Sequence, residues 1–501
     1  MTINPVVVKN VLKTYDRQLV TGRKIARLSR YLNRSEVQEQ EPPLREIKRR
    51  SLVERVAREI VENLITSDSD NPMVAEIKQA ISDELNAELI FHYPPTGEEM
   101  KIFERGKDGP QELTQEQRML VDTAKDITKS YGESYFREKR MANEEPTEYI
   151  EDIADAGFFG IPIPVEHGGE GMGLEELVYA IEAIGEAGGW DIIGRFTLNT
   201  VFGGVVLAAY GTEEQKEEYL PKIASNETHW ALGVTEPGAG SNMLRTETFA
   251  ERDGDEFVIN GEKTFNSGLG TADGYTLLTR TTPFEEVDRR THGLTVFLVD
   301  PQDPAIEYQK TDLDVYWPAG EDTYTVYIDD LRVHESQVIG EIDQGFAPIF
   351  EVLNPERVSV AAEHIARGRW AIDRAVERAN EREVWGEPIG AHQGVQHPLA
   401  DAYASVETAS TMVRRAARAY DEGYDNFGEL ANIAHYKAGE AGFEATDAAL
   451  ETFGGASSAR EYGIAAVWSL ARHQRIAPIT DNMKLNFIAN NVLGLPRSYG
   501  Y

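Results

Sequence analysis

The sequence predicts an α+β multidomain protein, in which a helical block, an antiparallel β block and a second helical block follow a helical extension. Three observations predict it. Apolar residues recur at spacings of three and four over most of the chain. Between Trp230 and about Val338 that period gives way to short runs rich in β-branched and aromatic residues. The length, 501 residues, is too great for one compact core. The expected domains are a basic-to-acidic helical extension and linker over 1–110, an N-terminal helical domain over 111–229, a β-domain over 230–338 and a C-terminal helical domain over 339–501.

The extension is set apart by charge. Its first fifty residues hold 12 basic and 5 acidic side chains, +7, while the chain as a whole carries −35 and the remainder therefore −42. Val8, Leu12, Tyr15 and Leu19 mark a helix over 6–33 with Lys and Arg on its other face. Helices over about 44–65 and 72–89 follow the break at Pro42-Pro43, and Tyr93-Pro94-Pro95-Thr96-Gly97 reads as a turn. The charged stretch to Pro110 has no clear period and reads as a linker. The basic arm suits docking to a protein or membrane surface, or to the chain's own acidic body. It lacks the Trp and Phe anchors of a strong membrane binder.

From Thr114 to Glu227 the helical period returns, interrupted at Gly160-Ile161-Pro162-Ile163-Pro164, Gly168-Gly169 and Gly211-Thr212. The β block is marked by Phe257-Val258-Ile259, Tyr275-Thr276-Leu277-Leu278, Leu294 to Val299 and Tyr324 to Ile328, with Gly, Asp and Asn between them. Long helical periods run from Gly345 to Ala489.

Composition excludes several functions. An acidic body repels phosphate backbones, so no nucleic-acid partner is expected. No window approaches the roughly 18 consecutive apolar residues of a membrane span. The N-terminus lacks the apolar core of a signal peptide, and a cytoplasmic location is expected. There is no cysteine, hence no disulfide, thiolate ligand or thiol nucleophile. His167, His229, His392, His397 and His473 show no metal-ligand spacing, so no metal is expected.

The sharpest local feature is Val234-Thr235-Glu236-Pro237-Gly238-Ala239-Gly240-Ser241-Asn242. A glycine-rich loop with hydroxyls can bring backbone N–H groups close to an anion or a heterocycle. Trp230 to Ser241 resembles the first signature of the acyl-CoA dehydrogenase family, and Asn260-Gly261-Glu262-Lys263-Thr264-Phe265-Asn266-Ser267 resembles its second flavin segment. Gly160 to Gly173 and Gly211 to Pro221 look like its N-terminal helical domain. Arg382, Trp385, Gly386, Ile389 and Gln393 look like its Arg-x-x-Phe-Gly segment, and Phe453-Gly454-Gly455 like its later Gly-Gly turn. Leu493 to Tyr499 looks like one bacterial-type branch. The resemblance runs in order over about 115–501.

That resemblance implies an FAD enzyme that dehydrogenates an acyl-CoA thioester to the 2-enoyl-CoA and passes electrons to an electron-transfer flavoprotein. It implies FAD contacts at Leu232, Val234, Thr235, Gly240, Ser241, Phe265, Ser267, Arg382, Trp385, Gln393, Glu451, Gly454 and Gly455, some across the subunit interface of a homodimer or homotetramer. Ser241 and Arg357 are the expected substrate contacts. Two carboxylates compete for the role of base. Glu356, in Leu353-Asn354-Pro355-Glu356-Arg357, matches the base of the family's isovaleryl and long-chain branches. Asp481, in Thr480-Asp481-Asn482, stands near the base of most members, in a Tyr-Glu-Gly context that this chain lacks. Asn354-Pro355-Glu356 also reads as a helix start, or as a kink in one long helix from Gly345. Phe265-Asn266-Ser267 replaces the usual Trp-Ile-Thr, which leaves the electron acceptor open. A flavin oxidase of acyl-CoA or nitroalkane type and a non-enzymatic docking flavoprotein are the alternatives.

Overall fold

The structure is a computed structural model that describes residues 113–497 and the backbone of three short strands before them. Two compact units divide the chain, Met1–Thr123 and Ala124–Tyr501. In the first, β1 (Leu89–His92), β2 (Lys101–Gly106) and β3 (Gly109–Gln111) form an antiparallel sheet in that order, with Leu89 opposite Glu104 and Gly106 opposite Gly109. This corrects the reading of 97–110 as a linker. The strands are only four, six and three residues long, too short for an alternating pattern to stand out among charged residues. The helices expected over 6–33, 44–65 and 72–89 and the turn at 93–97 lie outside the described residues, except Leu89, which opens β1 instead of ending a helix.

The second unit begins within α1 (Gln115–Ala142), which is broken at Gly132, φ 71°. Then come α2 (Thr147–Asp155), α3 (Leu174–Ile184), a π-helical stretch Phe196–Val205 that continues as α4 (Val206–Tyr210), and α5 (Glu213–Ala224). Thr212 caps α5 by accepting from the Gln215 N–H, while the Gln215 side chain accepts from the Thr212 N–H.

The eight-stranded sheet is built from β4 (Trp230–Gly233), β5 (Phe249–Asp253), β6 (Glu256–Ser267), β7 (Gly274–Arg280), β8 (Leu294–Val299), β9 (Ile306–Lys310), β10 (Thr323–His334) and β11 (Val338–Ile339). Its order is β11-β8-β7-β5-β6-β10-β9, with β4 alongside β7. Pairing is antiparallel except that β4 and the first residue of β5, Phe249, pair parallel to β7. β7 and β8 are buried at every position, which is why they read as continuous apolar runs. Phe257, Ile259, Tyr275, Leu277, Phe297, Val326 and Leu331 form the core of this domain.

The C-terminal helices are α6 (Phe346–Glu381), α7 (Gln393–Asp421), α8 (Phe427–Phe453), α9 (Ile464–His473) and α10 (Asp481–Phe487). A small hairpin, β12 (Glu383–Val384) with β13 (Glu387–Pro388), joins α6 to α7. Pro355 lies inside α6, so of the two readings of Asn354-Pro355-Glu356 the continuous helix holds. Asn354 is no cap there; its amide oxygen accepts from Arg357.

α6 and α8 cross closely because glycines meet at the contact. A Cβ at Gly442 would lie 2.6 Å from the carbonyl oxygen of His364, and one at Gly368 would lie 3.3 Å from the Gly442 Cα. Gly→Ala within a helix ordinarily gains about 1 kcal/mol. Here Gly442→Ala is expected to lose about 1–3 kcal/mol instead, because the helices must separate. Denaturant unfolding checks this; a more stable Gly442→Ala protein would rule out the close crossing.

Candidate active site

The glycine-rich loop leaves β4 and is fastened from beneath by a buried ion pair. The Glu236 carboxylate accepts from the backbone N–H groups of Glu247 (2.6 Å) and Thr248 (3.0 Å) and from Lys263 Nζ at 2.8 Å. Lys263 also donates to the Val234 carbonyl. Burial pushes the Lys263 ammonium down to about 8 against the pull of Glu236. Burial works to raise Glu236, but Lys263 and the Glu247 N–H outweigh it and hold the carboxyl below its usual range. Glu236 and Lys263 were not singled out by the sequence reading. Their signal is a charged residue inside each of the two motifs, at positions that must face inward.

Above this pair, the Thr264 N–H donates to the Thr235 carbonyl at 2.9 Å, which joins the loop to β6. Asn266 is buried; its amide donates to the Tyr324 carbonyl and accepts from the Tyr275 hydroxyl. Strand alternation then turns Phe265 and Ser267 to the other face. Phe265 is 61% exposed, and the Ser267 hydroxyl lies 3.1 Å from that of Thr323. Leu232, Val234 and Thr235 are half-buried, and Gly240 and Ser241 exposed. The structure thus carries seven of the expected cofactor contacts on β4, the loop after it and the end of β6.

The remaining six lie on other elements. Arg382 and Trp385 are on the exposed hairpin after α6, and Gln393 is exposed at the start of α7. Glu451 is exposed in the last turn of α8, and Gly454 and Gly455 follow it. Among the described residues, six besides glycine have a positive φ, and only Phe265 (58°) and Trp385 (56°) are aromatic. A bulky residue in the left-handed region is costly, and such strain concentrates at functional sites.

Glu356 and Asp481 have different surroundings. Glu356 is buried on α6, 4% exposed, and its carboxyl is pushed up to about 8, first by burial and then by Glu363 against the opposing pull of Arg357. Asp481 opens α10 and is held on both oxygens. Arg475 Nε donates to Oδ2 at 2.8 Å and Lys484 Nζ to Oδ1 at 2.9 Å. The Lys484 side chain has no exposed surface, so Asp481 is the counter-charge of a buried cation.

Glu356 begins a polar face on α6 that the sequence reading missed: Glu356, Ser359, Glu363 and Arg367, spaced as neighbours along one side of a helix. Ser359 Oγ lies 3.0 Å from the Glu356 carbonyl and 2.8 Å from Thr197 Oγ1. Thr197 donates to Glu363 at 2.9 Å. Glu363 also accepts from Arg367 (3.0 Å) and Gln474 (2.6 Å). Glu321, on the loop before β10, is raised to about 8 by burial and by Glu363. Arg195 pairs with Glu145 and lies 3.0 Å from His229 Nε2. The face couples a weakly acidic carboxyl to a fixed hydrogen-bond network, an arrangement suited to proton transfer. No group of three or more possible metal-binding side chains occurs among the described residues, and no helix among them is long and apolar enough to cross a membrane.

Comparison with known proteins places these residues in a family. Residues 114–227, 231–330 and 343–493 match the N-terminal, middle and C-terminal domains of acyl-CoA dehydrogenases. The acyl-CoA dehydrogenase FadE12 of Mycobacterium tuberculosis is 37% identical over 388 residues, 77% of this chain and 98% of its own. A subunit of the caffeyl-CoA reductase-Etf complex of Acetobacterium woodii is 29% identical, over 70% of this chain and 91% of its own. The structure of glutaryl-coenzyme A dehydrogenase with glutaryl-CoA superposes with a TM-score of 0.73 at 27% identity, over 78% of this chain and 99% of that one. The chain belongs to the acyl-CoA dehydrogenase family, FAD-dependent oxidoreductases that act on CH–CH bonds.

Proposed function

We propose that the protein oxidises an acyl-CoA thioester to its 2-enoyl-CoA with Glu356 as the base, and passes the electrons to an electron-transfer flavoprotein. The burial of Glu356 carries this reading. An α-proton beside a thioester is only weakly acidic, and a desolvated carboxylate is a stronger base than a solvated one. Asp481 is already committed to Arg475 and Lys484, which suits a structural role. Arg357, buried next to Glu356, favours its ionised form.

The residues present fit FAD. A Cβ at Gly238, Gly240, Gly454 or Gly455 would meet nothing within 4 Å, so backbone is open to a bulky ligand at both motifs. Leu232, Val234, Thr235, Gly240, Ser241, Phe265 and Ser267 would hold the ring system and its neighbouring groups. Arg382, Trp385, Gln393, Glu451, Gly454 and Gly455 would hold the distal part, with the exposed Trp385 hairpin serving a second copy of the chain. FAD, when bound, supplies the acceptor for the hydride that leaves the β-carbon. Ser241 would touch the bound thioester's carrier, and Ser267 would offer its hydroxyl to the ring. The related Etf-complex subunit supports a flavoprotein partner over oxygen, and slow reoxidation of the reduced protein in air would agree.

Anaerobic titration with acyl-CoAs tests the assignment. Glu356→Gln should lower the rate of flavin bleaching by on the order of 10²–10⁴-fold. In the wild type the rate should rise with pH through about 8, because Glu356 acts only once deprotonated. A rate independent of pH between 6 and 9 (roughly the range where such a group titrates) would sink the assignment.

Asp481→Asn should mainly cost stability, about 1–3 kcal/mol, because Lys484 stays buried without its counter-charge. Thermal unfolding of Asp481→Asn beside its bleaching rate separates the two roles; a folded variant without chemistry would return the base to Asp481.

A further inference from the structure

Beneath the two segments expected to meet the flavin lie four polar side chains that are not among the expected cofactor contacts: Glu236, Lys263, Asn266 and Tyr275. None of them is more than 5% exposed. They form two bridges. The first joins the loop after β4 to β6. Lys263 Nζ donates to Glu236 at 2.8 Å and to the Val234 carbonyl at 3.3 Å, and Glu236 also takes the two N–H groups that lead into β5. The second joins β7 to the end of β6. The Tyr275 hydroxyl donates to Asn266 Oδ1 at 2.8 Å, and the Asn266 amide nitrogen donates to the Tyr324 carbonyl on β10 at 3.0 Å. Gly233, the last residue of β4, makes room for this bridge, since a Cβ there would collide with the Tyr275 hydroxyl.

Apolar side chains of similar volume would fill this space at little cost in stability, whereas a fully paired polar set fixes the elements it joins. What the bridges add is position. Val234 and Thr235 follow Gly233 directly, and Phe265 and Ser267 flank Asn266. Phe265 holds a φ of 58°, a strained conformation that persists only where its surroundings over-determine it. Asn266, pinned at both ends of its amide, provides that constraint on one side. The first bridge also depends on charge. Burial lowers the Lys263 ammonium to about 8 while Glu236 pulls it upward. Glu236 is held below its usual range. The other groups that feel Glu236 are both on β7: Tyr275, whose hydroxyl burial pushes up, and Arg280. Lys263 is therefore the member of the set that changes charge just above neutral pH.

We propose that Glu236, Lys263, Asn266 and Tyr275 are positioning residues for FAD, which hold its two binding segments in one fixed relation and so set how tightly the cofactor is retained. The proposal rests on the placement of FAD given above. Retention then depends on pH. Lys263 is charged below about 8 and neutral above it, so the first bridge is intact on the acid side and weakens as pH rises. FAD binding that requires the charged bridge takes up a proton on the alkaline side, and affinity falls there.

Dilution of the full FAD-loaded protein, followed by the fluorescence of released FAD, gives Kd from about pH 7 to about 9.5, the range in which such an amine titrates. The wild-type Kd should rise as pH passes about 8. Glu236→Gln should move that rise to lower pH, because the carboxylate is what keeps the ammonium charged. Lys263→Met should abolish the rise and bind FAD weakly throughout. Tyr275→Phe removes one hydroxyl, leaves Asn266 Oδ1 unpaired and should raise Kd about tenfold at every pH. Circular dichroism at each pH shows that the protein releasing FAD is folded. A wild-type Kd that stays flat overturns the proposal without any variant. So does a folded Tyr275→Phe protein with unchanged Kd and only a lowered unfolding temperature, the result of a merely structural role. Gly240→Val, which fills the open side of the loop, separates this from the placement of FAD. If Gly240→Val binds FAD as the wild type does, the placement itself is wrong. If it weakens binding while Tyr275→Phe and Lys263→Met do not, the placement stands and the positioning role falls.

Discussion

The burial of one charged face of α6 is the constraint on which the rest of the site depends. A helix that crosses the core with Glu356, Arg357, Glu363, His364 and Arg367 all buried cannot pack against hydrocarbon alone. Three neighbouring elements answer part of it with polar groups. The π-helical stretch contributes Thr197, the end of α9 contributes Gln474, and the loop before β10 contributes Glu321. These come from three different domains of the family's architecture, so the network also fixes how the helical and β parts meet inside the second unit. Replacing such a network with apolar residues would often cost little stability, whereas breaking it by halves costs a great deal. That asymmetry favours a functional reason for its presence.

The Glu236–Lys263 pair does the corresponding work for the loop. The loop must present backbone and hydroxyls outward, so something must hold its inner side without filling the outer one. A carboxylate that takes two backbone N–H groups and an ammonium spans the distance between β4 and β6 and leaves Gly238 and Gly240 unencumbered. The depressed Lys263 ammonium measures the desolvation that the pair withstands. Phe265 on β6, and Trp385 in the turn between β12 and β13, both stand exposed at positive φ.

How much of this was legible follows from what each residue's signal depends on. The three blocks were readable because period and residue type change together at Trp230 and again after Val338, where β11 ends at Ile339. The loop and Phe265-Asn266-Ser267 were readable because motif spacing is local. The short strands at 89–111 were not, since a run of three to six residues among charges carries too few alternations. The parallel pairing of β4 with β7 was also hidden, because strand composition does not encode direction in a buried pair. Glu363 and Arg367 passed as ordinary members of a long helix. Their spacing from Glu356 was visible, but only the structure brings Thr197, Glu321 and Gln474 against them.

The competition between Glu356 and Asp481 turns on the same point. The missing Tyr-Glu-Gly context at 481 was the visible difference in sequence, yet geometry makes the pairing decisive. A carboxylate that accepts from Arg475 on one oxygen and from a fully buried Lys484 on the other is already committed on both sides. Glu356 has a single adjacent cation, Arg357, and faces a like charge at Glu363 seven residues along the helix. The pull and the push come from α6 itself, so the helix that positions the proposed base also sets its proton affinity.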